Sequence, residues 1–557
     1  MRKFLTWITT AITIAMLCIT FAGCGRENRK DTVTLTVFSQ VANYSGEQVG
    51  WFADIMLEKF NVKLNIVPDV NGMYDTRAAV GNLGDIVIFG NNGDQYKNAV
   101  KQGWLLDWEE DDLLNEYGSY IKENMTEALE ANREISGNDG HLYGFGNDVA
   151  MESGDPGDFF YSWDIRWDLY DRLGQPQIND LDDLFELLMD MKELEPYDDN
   201  GDPTYALSMW PDWDGSMMMY AKSMASCYYG YDEVGLGLYD PMTGDFHSAL
   251  EEDGPYITML AFLNRLMRNG LIDPDSMSQQ YVDMTEKVAS GGVFMSVFDY
   301  AGSSIYNTAL HISQNKIMLP LKPEEASSLV YELSVYGSHQ VWAIGAETRY
   351  PALCMEIINW LCTPEGCMTM KYGRQGVNWD YDENGEPYLT AAGKLCMSDG
   401  DSDTTRDENG YTFNTGRNQM NNTTWSLNTI NPDSNGATYN YKNWTSEIED
   451  ARNGTEEKWR AATGAFTSQE YMESRKYTLV PASTFSELER TDEFNIVLTQ
   501  VSRCITEYSW KAVYAETEEE FDDLINAMIK TCRLYGYEIC EEWSVENCRV
   551  RYELENK

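Results

Sequence analysis

Histidine is nearly absent from this chain: His141, His247, His311 and His339 are the only 4 in 557 residues. They lie far apart and no His-x-x-x-His pair exists, which excludes a helical zinc site of that type. Positive charge is also scarce, with 41 Lys+Arg against 91 Asp+Glu and a formal charge of −50. Such a field repels phosphate backbones and excludes general nucleic-acid binding. It repels anionic lipid too, so a hold on a membrane would have to be covalent. There is no P-loop, no Gly-x-Gly-x-x-Gly after a strand, no His-Glu-x-x-His and no Gly-x-Ser-x-Gly. Past residue 22 no apolar run could span a bilayer, and no repeat of solenoid or propeller type is present.

What is there fits a folded protein. Hydrophobic residues make up 43% and charged residues 24%. The length exceeds what one core supports, so at least two lobes are expected. Aromatics reach 13%, with 16 Trp and 35 Tyr. Their flat apolar faces and polar tips suit sugar rings, peptides and ordinary cores alike.

The chain opens Met1-Arg2-Lys3, runs apolar from Phe4 to Ala22, and then reads Gly23-Cys24-Gly25. This reads as a secretory signal over residues 1–23, with a single membrane anchor as the rival. Phe21-Ala22-Gly23-Cys24 resembles a bacterial lipobox, apart from Phe21 where Leu is usual. The resemblance implies acyl chains on Cys24 and a protein held at the extracellular face of a bacterial membrane. Cys227, Cys354, Cys362, Cys367, Cys396, Cys504, Cys532, Cys540 and Cys548 follow. Nine is odd, so one at least stays unpaired in a monomer; buried thiols or a disulfide or two are expected, and no metal.

Val33, Leu35 and Val37 alternate with threonines, as do Val62, Leu64 and Ile66 with polar residues, and Ile86–Phe89 is a short apolar run. With a helix over 51–60 between the first two, this is strand–helix–strand order and predicts α/β layers with parallel strands. Helices are expected over 179–195 with Asn179 as cap, 257–269, 351–362, and from the capping box Thr517-Glu518-Glu519-Glu520 to Gly536. Asn-Gly pairs at 200, 384 and 409 predict hairpin turns. The Asn- and Thr-rich stretch 414–443 reads as long loop.

Asp198-Asp199-Asn200-Gly201-Asp202 has oxygens spaced as in a calcium loop, but Pro203 and Met209 stand where Gly and Glu are needed, so a plain turn is preferred. Among 91 acids some pair will always look like a glycosidase pair, and spacing in sequence cannot give their separation. The sharper candidate is Trp210-Pro211-Asp212-Trp213-Asp214-Gly215. Pro and Gly make it a loop, Trp213 could stack on a sugar and Asp212 could accept its hydroxyls, while a buried Trp pair is the competing reading. Loops at the carboxyl ends of first-lobe strands should face it: Asn43 and Tyr44, Asn91 and Asn92, and Asn147 with Asp148.

An ordered series of segments is similar to one family. These are Gly84-Asp85-Ile86-Val87-Ile88, Gly103-Trp104-Leu105-Leu106-Asp107-Trp108 and Asp139-Gly140-His141-Leu142-Tyr143-Gly144-Phe145. Then come Ile165-Arg166-Trp167-Asp168-Leu169-Tyr170 through Asn179-Asp180-Leu181, Asn269-Gly270-Leu271-Ile272-Asp273-Pro274, Thr363-Pro364-Glu365-Gly366 and Arg374-Gln375-Gly376-Val377-Asn378-Trp379. Together they resemble the extracellular solute-binding lipoproteins of bacterial ABC importers, the sugar-binding type in a Gram-positive branch.

That resemblance implies the two-lobe periplasmic-binding-protein fold of type II with ligand in the cleft. The first lobe would take 33–148 and 335–375, the second 149–334 and 376–557. By family order it adds Asp299, Tyr300 and Trp379 to the site. It implies a monomer that binds a small solute, an oligosaccharide by preference, and passes it to permease subunits, with no catalysis and no cofactor. A surface glycoside hydrolase, or a surface polymer binder without transport, are the competing readings.

Overall fold

The computed structural model describes residues 31–137 and 140–556. The leader and Cys24 lie outside them. Among the described residues no helix is long and apolar enough to cross a membrane.

The first lobe is built on a six-stranded sheet. Val33–Ser39 lies inside it, parallel to Val62–Pro68 on one side and Ile86–Phe89 on the other. Leu35 faces Leu64 and Val37 faces Ile66, so the alternation seen in sequence becomes a shared buried face. Val341–Ile344, from far along the chain, inserts antiparallel between Ile86–Phe89 and Gly144–Gly146. The helix Pro351–Cys362 covers this sheet with its apolar side.

The second lobe carries a three-stranded sheet, Met295–Phe298, Tyr161–Arg166 and Met318–Pro320. Here both pairings are antiparallel, unlike the parallel strands at the start of the first lobe. Trp163 adopts φ 49° inside the middle strand. The register shifts between Ser296 and Phe298, so the strand holds one extra residue. A bulge of this kind bends the strand and redirects the side chains beside it. The helices Leu181–Leu194, Pro255–Arg268, Asp492–Val513 and Glu518–Leu534 complete a core that also holds Trp163, Trp210 and Trp459.

The expected lobe division needs correction at its end. Trp379, Leu389, Met420, Trp425, Tyr439 and Trp444 pack with Leu35, Ile66 and Trp342, in the first-lobe core. Only from about Trp459 does the chain join the second core. The chain therefore passes between cores at 150–162, 327–340 and 445–458. The first two passages are hydrogen-bonded together, Ala150 N–H to Ser334 O at 2.8 Å and Leu333 N–H to Asp155 O at 2.8 Å.

Two helix starts differ in detail from expectation. Asp180, not Asn179, caps Leu181–Leu194, its carboxylate accepting from the amides of Asp182 and Asp183. Thr517 Oγ1 accepts from Glu520 N–H, but Glu520 reaches back to Glu516 N–H, so the reciprocal half of the box is displaced. The three Asn-Gly turns share one design. Asp198, Asp382 and Asp407 each accept two backbone amides, two and four residues on, through Oδ1. Gly201, Gly385 and Gly410 supply the positive φ. At the calcium-like loop, Asp198 is thus spent on the turn while Asp199 binds His311 and Lys316. All nine cysteines beyond Cys24 are buried free thiols.

Candidate functional site

A cleft of about 1230 Å³ opens between the lobes. Its first-lobe wall includes Asn91, Asn92, Asp148, Lys371 and Thr423; its second-lobe wall includes Asp158, Tyr161, Ser216 and Glu332. Asn91, Asn92 and Asp148 lie just past strand ends, whereas Lys371 is on the helix Pro364–Tyr372 and Thr423 is in the stretch 414–443. Asn91 follows Ile86–Phe89, and its Oδ1 accepts Gly93 N–H at 2.9 Å. Asp148 follows Gly144–Gly146 in a left-handed conformation, φ 50°. For a non-glycine residue this is a local strain, of the kind held in place at binding sites.

A polar network fixes Asp148. Asn147 Nδ2 donates to its Oδ2 at 2.8 Å, and Thr423 Oγ1 donates to its Oδ1. Thr423 is itself anchored to the sheet, because Trp342 Nε1 donates to its carbonyl at 2.6 Å. Buried polar atoms here lack partners: Asn147 Oδ1 and both amide atoms of Asn422. In a dry core each would cost about 1–3 kcal/mol, so donors and acceptors are held ready beside the cleft. Enclosure pushes the Asp148 carboxyl up from its ordinary value, partly offset by Thr423 and Lys371. Asp158 is open to solvent yet hemmed in, and enclosure raises it too.

The second lobe adds an aromatic surface. Phe160 and Trp213 are 53% and 47% exposed, unusual for rings of this size. Phe160 lies 5.8 Å from Tyr300, Tyr300 lies 6.1 Å from Trp213, and Trp213 lies 4.5 Å from Tyr281. Trp210 stands beneath as a fully buried support, 5.3 Å from Trp213 and edge-on to it.

Between this surface and the first lobe runs a charged bridge. Lys442 Nζ meets Asp299 Oδ2 at 2.5 Å, and Asn440 Nδ2 donates to Asp158 at 3.2 Å. Ser303 and Ser304 donate their hydroxyls to Asp299 as well. Burial alone would raise Asp299, but Lys442 and these serines outweigh it and hold the carboxyl at about 2. Asp164, closed off behind it, accepts Ser303 N–H at 2.7 Å. Burial, then the charge of Asp299, pushes Asp164 up to about 6.

The two carboxyls act in separate pH windows. Asp164 holds its proton more tightly folded than unfolded, so its stabilising contribution is full below about pH 4 and declines as pH rises towards 6. Asp299 acts oppositely, and its contribution is lost as pH falls from about 4 towards 2. Asp164→Asn keeps an acceptor for Ser303 and removes the first effect. The difference in melting temperature between variant and wild type should therefore shift in the variant's favour from pH 4 to 6 and level off above. A difference that stays constant across that range would show that Asp164 does not hold the proton.

Of the residues expected from sequence, Asn91, Asn92 and Asp148 border the cleft. Asn147 supports Asp148 from behind. Trp213, Asp299 and Tyr300 belong to the aromatic and charged surface. Asp212 is tied down, its Oδ2 accepting Tyr281 N–H at 3.0 Å at a helix start. Asn43 and Tyr44 do not border the cleft; the Tyr44 hydroxyl bonds Glu47 O instead. Trp210 and Trp379 are corrections: both rings are fully buried, and Trp379 Nε1 donates to Gly373 O, so neither can meet a solute. Sequence reasoning missed Asp158, Phe160, Lys371, Thr423 and Lys442. Phe159-Phe160-Tyr161 after Gly157 was a usable signal, because three aromatics opening a strand cannot all point inward.

No protein-family model and no curated protein matches the sequence. Solved structures do match in fold. An alginate-binding protein, solved without calcium ion, gives a TM-score of 0.58 at 16% identity, over 93% of this chain and 98% of that one. An HMO-binding, ABC-transporter-associated solute-binding protein from Bifidobacterium longum infantis gives 0.56 at 14%, over 94% and 99%. A substrate-binding protein of a Streptococcus pneumoniae ABC transporter, in complex with kestose, gives 0.56 at 13%, over 93% and 99%. The chain thus has the two-lobe α/β fold of solute-binding proteins, aligned over nearly its whole length.

Proposed function

We propose that the protein captures an oligosaccharide in the interlobe cleft and delivers it to the permease of an ABC importer. Acyl chains on Cys24 would hold it at the outer face of the cell membrane. The observation that carries the reading is a cleft wall rich in hydroxyl-binding groups, with the exposed rings of Phe160 and Trp213 standing on the second lobe outside that lining. Carboxylates, amides and a threonine hydroxyl suit the many hydroxyls of a sugar, and exposed rings suit its apolar faces. The neighbours in fold with stated saccharide ligands support the same reading. The mechanism is capture and release: lobes joined by three passages can swing about them, and ligand favours the form that encloses it. No bond is broken.

Thermal unfolding with a panel of neutral, amino and acidic oligosaccharides tests this. A ligand at 100 times its Kd should add about 2.7 kcal/mol of stability. The same mixtures, analysed for product, should contain the saccharide unchanged; turnover would replace the reading with a hydrolase. Trp213→Ala should weaken binding by about 1–3 kcal/mol while leaving melting temperature nearly unaltered, since half of the ring already faces water. Unchanged affinity in that variant would remove the aromatic surface from the site.

A further inference from the structure

We infer that the cleft selects saccharides free of carboxylate groups, admitting neutral or amine-bearing ones and rejecting uronic acids. This rests on the saccharide-binding reading above. Recognition of a ligand carboxylate needs a cation that is not already engaged, and arginine is the residue best shaped for it. Both arginines of the cleft wall are taken. Arg490 pairs with Glu487 at 2.7 Å, and Arg551 pairs with Asp232 and Glu555, each at 2.7 Å. Enclosure pushes the His339 imidazole down from its ordinary value, away from the charged form. The helix Asp94–Lys101 starts at the wall, but its first turn carries Asp94, which fills the position that would draw an anion.

Lys371 remains, one cation on a lining that also carries Asp148, Asp158 and Glu332. It acts on both Asp148, from the first lobe, and Asp158, from the second. A uronate entering here would place a further anion among carboxylates whose own ionisation is disfavoured by enclosure. Hydroxyl or ammonium groups have the opposite effect, because they donate to those carboxylates. Selectivity then comes from repulsion built into the site, not from loss of an attractive contact.

The test uses full-length protein in detergent and oligomers of equal length. Malto-, cello-, manno- and xylo-oligosaccharides are the neutral members, glucosamine oligomers the amine-bearing ones, and pectin and alginate oligomers the uronates. At least one neutral or amine-bearing member should raise the melting temperature, and uronates should bind at least about tenfold more weakly. A uronate that binds as tightly as any other member overturns the charge selection while leaving saccharide capture intact. Stabilisation by no saccharide at all overturns capture, and this inference with it. In the Asp148→Asn, Asp158→Asn double variant the gap between neutral and uronate ligands should narrow about tenfold. An unchanged gap would overturn the assignment of selection to these two carboxylates.

Discussion

Asp168→Ala should destabilise the protein by about 3–5 kcal/mol, read as a shift in the urea midpoint. The reason is what the substitution leaves behind. Arg166 is 2% exposed and Asp168 8%. The guanidinium binds the carboxylate with two bonds, Nε to Oδ1 at 2.9 Å and Nη2 to Oδ2 at 2.8 Å. It also lies over the Tyr306 ring, 4.6 Å from its centre, and donates to Gly291 O. Without Asp168 a full positive charge stays in the core with no counter-ion. Replacing both residues by apolar ones should therefore recover most of the loss, because a buried pair contributes little net stability once its desolvation is counted. Arg166→Met combined with Asp168→Leu is the pair to measure. A single substitution costing less than about 1 kcal/mol would mean that water reaches Arg166, contrary to its burial.

This pair also shows what the sequence resemblance was detecting. Ile165-Arg166-Trp167-Asp168-Leu169-Tyr170 belongs to that series of segments, and its polar members serve the core, not the cleft. Where apolar residues follow a period, the fold was legible. The alternation at 33–37 and 62–66 became paired strands, and the helix expected over 351–362 is found over that range. Period carries no information in a loop, and there the reading failed. Trp210 and Trp213 stand three residues apart on either side of Pro211 in one loop, yet one is buried and the other half exposed. Contacts between distant segments decide such cases. Tyr281 and Tyr300 place Trp213, and no local pattern connects them to it. The ion bridge of Lys442 to Asp299 was invisible for the same reason: 143 residues separate its partners.

Trp425→Ala should also cost about 3–5 kcal/mol, and it should do so in one lobe only. Residue composition marks 414–443 as loop, and most of it has no regular structure. Its tryptophan nonetheless is fully buried in the first-lobe core. Its Nε1 donates to Cys362 O at 2.5 Å, at the end of the helix Pro351–Cys362. Next to it, Thr424 Oγ1 donates to Leu361 O at 3.0 Å. The backbone on either side grips Val149, with Val149 N–H on Thr424 O at 3.0 Å and Ser426 N–H on Val149 O at 2.9 Å. Truncation thus opens a cavity, strips a helix-end carbonyl of its donor, and loosens the first passage between lobes. The second-lobe core shares no buried apolar residue with this cluster. Hydrogen exchange should accordingly quicken in 33–39, 62–68 and 341–344 while 161–166 and 255–268 keep their protection. Trp213→Ala, with its ring half in water, is the control and should leave both sets unchanged. Loss of protection confined to 161–166 and 255–268 would return residues 376–445 to the second lobe, where the order of segments alone had put them.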